Sequence, residues 1–375
     1  MESAVNKLFA ITNKFEVEGT PSAVSPIGSG HINDSYLITT TPDPAPDYVL
    51  QRINHQVFKD IPGLTANIAT VTEHIRKQLA ERPVLTGQAR PASSMQVLQL
   101  IEAKNGSFIY MDLQGNSWRR YHHIRGSHSF DNVPGPEFAY EGGCAFGWFQ
   151  QMTAGLSTES LCVTIPRFHD IVWRLEQFEE AVHTDIVHRV SQTEAEIRFI
   201  RERSAEMQTI NRLIDSRQLP LRVTHNDTKF NNILFDANNR AICIVDLDTV
   251  MPGTVLYDFG DAIRTGTNTG TEDEVDLEKV SLDMGLFEAY SRGFLEVAGP
   301  GLTQIEIDHL AFSARFMTFI IGLRFLTDHI NGDTYYKIRF PGHNLQRARS
   351  QFRLLSEMEK QSGRMEQIIK AFSPF

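Results

Sequence analysis

The stretch VTHNDTKFNNILFD, residues 223–236, sets Asp227 among a histidine, a lysine and three asparagines, and then runs into apolar sequence. NILFD and AICIVD read as two strands joined by the turn-like tetrapeptide ANNR, so an antiparallel hairpin is expected here. Asn232, before the first strand, and Asp246, after the second, would then emerge at the same open end. Neighbouring strands lie roughly 5 Å apart. Two hard oxygen donors at that spacing suit one or two magnesium ions, which take a few protein oxygens and complete their shell with water and phosphate. Asp227, five residues before Asn232, enters the same opening, where phosphoryl transfer needs a base to receive a hydroxyl proton. The competing reading makes these three residues polar caps on strand ends, and their joint spacing argues against it.

The rest of the chain limits what such a site can serve. With 375 residues the chain exceeds a single ordinary core, so two domains are expected. A formal net charge of −10 opposes non-specific binding to nucleic acid or an anionic membrane and favours a small-molecule partner. Three cysteines, Cys144, Cys162 and Cys243, form neither a disulfide framework nor a zinc spacing, and read as buried thiols in a reducing compartment. The first residues, MESAVNKLFAITNKFEVEG, lack a basic start and an apolar run, so a cytoplasmic location is expected. HLAFSARFMTFIIGLRFL is interrupted by Arg315 and Arg324 and reads as a buried helix.

The grammar changes near residue 125. Before it come short β-rich runs, SYLITT, DYVLQRI, MQVLQLI, SFIYMDL and WRRYHHI, bounded by turn residues. One helical segment, with Ile68, Val71, Ile75 and Leu79 at helical spacing, interrupts them. A five-stranded sheet with one helix is therefore expected over residues 1–124, and a mainly helical part over 125–375. TPDPAPD at 41–47 reads as a hairpin tip, and TGTNTGTEDEVD at 265–276 as a mobile loop.

His225-Asn226-Asp227, then Asn232, then a strand ending in Asp246, resembles the catalytic and metal motifs of the aminoglycoside phosphotransferase and choline kinase superfamily. GSGHINDSY (28–36), LQRIN (50–54), VDLDTVMPG (245–253), DFGDAIR (258–264) and RFLTDHINGDTYY (324–336) narrow the resemblance to the bacterial N-acetylhexosamine 1-kinases, from residue 28 to about 350. The resemblance implies an α+β, two-lobed protein-kinase-like fold. The first lobe, 1–124, would bind nucleotide, and the second, 125–375, would carry catalysis and substrate. It implies Asp227 as the base, Asn232 and Asp246 as magnesium ligands, and His225 and Asp258 as support for the catalytic loop. The reaction implied is transfer of phosphate from ATP to the anomeric hydroxyl of GlcNAc or GalNAc.

Other residues follow from position. Gly28, Ser29 and Gly30 form a glycine-rich loop, with His31 and Asn33 behind it, whose backbone amides suit phosphate. The position of the kinase strand lysine holds Gln51 or Arg52, depending on register. Arg52 would pair with nucleotide phosphate, or it is an exposed strand arginine. Glu73, the expected helix partner, reads as a residue of a solvated face. The purine is expected near His123 and Ile124. Asp248 either touches magnesium or stands behind it, and Asp261 and Arg264 are either solvent-facing or near the sugar. Arg324, in an apolar helix, needs a partner: sugar oxygens, with Tyr335 beside them, or a salt bridge to Asp328 one turn on.

Two alternatives remain open at this level. The same fold serves kinases of other small-molecule hydroxyls, such as an aminoglycoside, choline, homoserine or another sugar. A non-catalytic kinase-like binding protein is expected to have lost the base or a metal ligand, and this sequence keeps all three.

Overall fold

The computed structural model describes residues 2–28, 32–81 and 95–375, which divide into two compact units. The first comprises the chain to His128 together with Gly155–Ile165 and Leu234–Met251, and the second comprises the remainder.

The first unit is built on a five-stranded sheet. Its strands are β1 (Thr20–Pro26), β2 (Asp34–Thr41), β3 (Tyr48–Ile53), β4 (Tyr110–Met111) and β5 (Ser117–His122), in the order β1-β2-β3-β5-β4 with antiparallel neighbours. The expected strand count is met with a different membership. MQVLQLI forms no strand; it meets β5 through an isolated bridge from Leu100 to Tyr121 and adds Ile101 to the core under the sheet. TPSAVSP takes the remaining place as an edge strand, where its two prolines sit at the strand's margin of tolerance. Two helices, Glu2–Thr12 and Ile61–Glu81, accompany the sheet instead of one. Residues 41–47 join β2 to β3, as the hairpin-tip reading requires.

Strand alternation sorts the side chains by face. Leu50 pairs in register with Arg120 and Gln51 with Arg119, so the two adjacent arginines point to opposite faces. Arg120 turns into the core of Ile11, Phe15, Ile38, Tyr48, Leu50 and Trp118. Its guanidinium lies 3.5 Å from the centre of the Tyr48 ring and donates to the Thr12 carbonyl at 3.2 Å. Burial lowers its pKa to about 10. After the short strand β6 (Arg222–Thr224), the hairpin anticipated at 232–246 is present as β7 (Ile233–Phe235) paired with β8 (Ala241–Ile244). The Asp236 carboxylate accepts the amides of Asn238 and Arg240 to close its turn.

The second unit is helical. At its centre Leu310–Ile330 forms the one helix among the described residues long and apolar enough to cross a membrane, and it is mostly buried against its neighbours. Helices Pro136–Thr153 and Met284–Ala298 approach closely because each is glycine at the contact. A Cβ on Gly143 would meet the Tyr290 carbonyl at 2.2 Å, and one on Gly293 would meet the Tyr140 carbonyl at 2.2 Å. The helical stretch 194–215 is divided at Gln208 into Glu194–Met207 and Thr209–Asp215. Residues 265–276 are tied down rather than loose. Asp273 pairs with His343 at 3.0 Å, and the Thr271 carbonyl accepts the Ser350 hydroxyl at 3.1 Å. Of the three thiols only Cys243 is fully buried; Cys144 and Cys162 are partly exposed.

Candidate active site

The loop 224–229 of the second unit is held by the helix Val255–Gly266, whose first turn is capped by the Thr254 hydroxyl. Asp258, Asp261 and Arg264 recur every three residues and so share one face of that helix. Asp258 accepts the amide of His225 at 2.9 Å on one oxygen and that of Asn226 at 2.7 Å on the other, with Gln150 Nε2 at 2.9 Å. The Thr228 hydroxyl donates to the Asp258 carbonyl at 2.6 Å, and the Thr228 amide to Asp261 at 3.1 Å. These bonds fix the loop through its main chain, including Asn226 in the left-handed region at φ 63°. His225 is fully buried, with the rings of Phe146 and Phe149 packed against it.

Burial raises the Asp258 carboxyl to about 7, and the nearby Asp261 adds to the rise, against the lowering effect of the two amides. Asp261 and Arg264 are both buried and paired at 2.7 Å, which rules out the solvent-facing alternative for them. The helix thus presents its polar groups to the loop and not to water.

Asp227 stands at the tip, its side chain one-fifth exposed, with Lys229 Nζ at 3.0 Å. Burial pushes the Asp227 carboxyl up, but Lys229, followed by His225 and Arg264, outweighs it and holds the group below the usual carboxylate range. The Asp227 charge in turn holds the Lys229 ammonium well above its ordinary value. Asn232 closes a single 3-10 turn and donates its amide nitrogen to the Asp227 carbonyl at 2.8 Å, which fixes the orientation of its side chain. Lys229 was not singled out from sequence. Its signal was present, two residues after Asp227 on the loop that positions it.

Arg324 is buried, and its Nε makes no hydrogen bond among the described residues. Asp328 is not its counter-ion. That carboxylate accepts the amides of Thr334, Tyr335 and Tyr336 at 2.8–2.9 Å and the Asn344 side chain at 2.9 Å, so it anchors the loop that follows the helix. Arg324 instead lies among rings, 5.0 Å from Phe168, 5.8 Å from Tyr335 and 5.6 Å from Tyr336. Arg174 shares the region, its pKa lowered to about 10 by burial and then by Arg324. His169 is buried beside both arginines and within electrostatic reach of Asp227. Burial, then Arg324, lowers it to about 3, so its imidazole is neutral. Arg174 and His169 carried no sequence signal, because their meaning depends on a helix about 150 residues further on.

The first unit holds the other residues. Gly28 has φ 76°, a left-handed backbone that suits glycine, whereas Ser29, Gly30 and His31 lie outside the described residues. Asn33 donates to Asp248 at 2.5 Å and accepts the Asn54 amide at 3.0 Å. Arg52 is on the exposed face and pairs with Asp34. Glu73 is exposed and pairs with Arg76 and Lys77, which fits the solvated face read for it. Ile124 is half-buried just beyond β5, and the preceding His123 amide donates to the Asp47 carbonyl at 2.8 Å. Asp246 follows β8 with an exposed side chain and φ 60°, while Asp248 is buried and ion-paired with Arg119 at 2.5 Å.

Comparison with known proteins fits this architecture. Similar solved structures include an aminoglycoside phosphotransferase from Alicyclobacillus acidocaldarius, 11% identical with a TM-score of 0.58 and 97% of each chain covered. A spectinomycin phosphotransferase in complex with ADP and spectinomycin is 11% identical with a TM-score of 0.57, over 96% of this chain and 98% of that one. A choline kinase from Cryptosporidium parvum is 13% identical with a TM-score of 0.57, over 95% of both chains. At such identities the likeness establishes the kinase-like fold, with a β-sheet N-lobe and a helical C-lobe. Residues 23–299 match the phosphotransferase enzyme family, which includes the aminoglycoside phosphotransferases, and this chain is a member of that family.

Proposed function

We propose that the protein transfers the γ-phosphate of ATP to the anomeric hydroxyl of an N-acetylhexosamine, GlcNAc or GalNAc. The observation that carries the acceptor is the pair Arg324 and Arg174 in an aromatic surround, with no carboxylate spent on Arg324. One buried and one half-buried guanidinium group repel a cationic acceptor, which disfavours aminoglycosides and choline and favours a neutral, oxygen-rich molecule. Ring faces at Tyr335 and Phe168 suit the apolar face of a pyranose, and the Arg324 Nε–H suits a sugar or acetamido oxygen.

In this reading Asp227 takes the proton of the attacking hydroxyl while the new O–P bond forms and the bond to the β-phosphate oxygen breaks, releasing ADP. The anomeric hydroxyl is more acidic than other sugar hydroxyls, so a carboxylate held at low pKa by Lys229 is base enough. Lys229 then stays protonated and presents its charge to the transferred phosphoryl group. His225 and Asp258 hold the loop that aims Asp227. Asn232 and Asp246, which flank one hairpin, offer hard oxygen donors that fit magnesium, whose contribution when bound is to neutralise the phosphates. Gly28 to His31 and Asn33 would approach the phosphates, and Ile124 the purine. Arg52, tied to Asp34, is the weakest of the nucleotide candidates.

ADP release with Mg-ATP should be measured against GlcNAc, GalNAc, galactose, glucose, choline, homoserine and kanamycin, with Asp227→Asn as control. The reading requires turnover of the N-acetylhexosamines to an acid-labile 1-phosphate that the mutant does not form. Turnover of choline or kanamycin alone would replace the acceptor and leave the phosphotransfer chemistry standing.

A further inference from the structure

Neither Gln51 nor Arg52 on β3 places a buried positive charge where kinases of this fold carry their strand lysine: Gln51 has no charge, and Arg52 is paired with Asp34 on the exposed face. We propose that Arg119, on the neighbouring strand β5, supplies that charge and is the electrostatic determinant of nucleotide binding. The inference rests on the phosphotransferase reading above.

The registered pair Gln51 and Arg119 puts both side chains on one face of the sheet. Gln51 Oε1 accepts from Arg119 Nε at 3.0 Å and from Nη2 at 2.9 Å, and Gln51 Nε2 is itself held by the Ser35 hydroxyl at 2.8 Å. Gln51 therefore aims the guanidinium and does not replace it. Arg119 is 1% exposed and ion-paired with Asp248, and Asp246 is near enough to act on its charge. Asn33, three residues past Gly30, bonds the same Asp248 carboxylate. The face thus links the exit of the glycine-rich segment, the third strand and the acidic DLD segment, 246–248, around one buried cation. Among the described residues, Arg119 Nη1 makes no hydrogen bond, so one donor of this buried guanidinium is left over.

Two carboxylates on that segment would repel a polyphosphate, and a buried guanidinium is the group that opposes this field. Arginine suits the place because it stays charged when buried and its fork accepts two directed partners.

The test uses the sign of the effect on a fluorescent ADP analogue bound by the whole protein in EDTA, where no cation intervenes. Arg119→Met should weaken binding at least tenfold, and Arg119→Lys should stay within about threefold of the wild type. Asp248→Asn, which removes the opposing charge and leaves Arg119, should bind as well or more tightly although it unfolds at lower temperature. The double variant should regain thermal stability and keep the weak binding, since both buried charges are gone. If the double variant regains affinity together with stability, Arg119 is only a counter-ion and the proposal fails. A greater loss in Arg52→Met than in Arg119→Met also overturns it. Wild type that binds, with no change in Arg119→Met, sinks this inference alone. Wild type that binds neither the analogue nor Mg-ATP sinks the phosphotransferase reading with it.

Discussion

Asp258 receives the main-chain amides of His225 and Asn226 on separate carboxylate oxygens, at 2.9 and 2.7 Å, from a helix 33 residues further along the chain. One side chain thereby sets the path of the loop that ends in Asp227. Asp258→Asn replaces one acceptor by a donor facing an N–H, so it should lower stability by about 2–3 kcal/mol. Urea unfolding measures that loss, and under the proposed mechanism it should be accompanied by reduced kcat because Asp227 loses its aim.

Asp258 also predicts a pH dependence. Burial raises its pKa from 3.8 in the unfolded chain to about 7 in the folded one, so between those values the folded state binds the extra proton. Stability from this group is full below about pH 4 and is lost as pH rises through about 7, because there ν for the unfolded chain is smaller than for the folded one. Wild type should thus lose stability relative to Asp258→Asn between pH 5 and pH 8, read as the difference in urea midpoint. An unchanged difference across that range would mean that Asp258 is ionised throughout.

Lys229→Met separates the two roles of Asp227 and its neighbour. Without the ammonium, the largest group opposing burial is gone, only His225 and Arg264 still act against it, and the Asp227 carboxyl rises. The acidic limb of the kcat/KM profile should move to higher pH, and kcat at pH 7.5 should fall roughly tenfold or more. A drop in kcat with the limb in place would confine Lys229 to phosphate contact.

Arg324→Met gives opposite expectations for a structural and a binding arginine. A buried charge without a carboxylate partner costs stability, so its removal should leave Tm unchanged or higher. Under the proposed sugar reading, the acceptor KM should rise ten- to a hundredfold, about 1.4–2.8 kcal/mol, with the ATP KM unaltered. A fall in Tm with unchanged sugar KM would assign Arg324 to packing.

Gly143→Ala and Gly293→Ala test the close helix crossing in the second unit. Each added methyl would meet a carbonyl oxygen of the facing helix at 2.2 Å, with backbone that cannot rotate away. Each should cost about 1–3 kcal/mol in thermal or urea unfolding. Neither residue touches the Asp227 loop, so any activity loss should follow the loss of folded protein.

Much of this protein could be read from local sequence because the information is local. The hairpin 232–246 is written in two apolar runs and a turn, and the helix at 61–81 in apolar residues at helical spacing, so both appear where periodicity puts them. The α+β class follows for the same reason, and the bond from Asn232 to the Asp227 carbonyl spans only five residues. Local pattern misled over which segments enter the sheet. MQVLQLI looks like a strand but makes only an isolated bridge to β5, whereas the proline-bearing TPSAVSP pairs along its sequence neighbour β2.

What the sequence by itself determined is the set of groups held on short stretches: the hairpin, the polar loop before it, and the charges that had to be satisfied somewhere. Which group satisfies which was decided only by tertiary structure. Arg324 and Asp328 lie one helical turn apart and invite pairing, but three loop amides and Asn344 saturate the carboxylate. Arg119 and Asp248 are 129 residues apart, and nothing local couples them. Strand register brings Arg119 beside Gln51, and burial then leaves Asp248 as the charge that can balance it. Periodicity fixes the direction a side chain takes from its own backbone, whereas a counter-charge is chosen by what the fold removes from water.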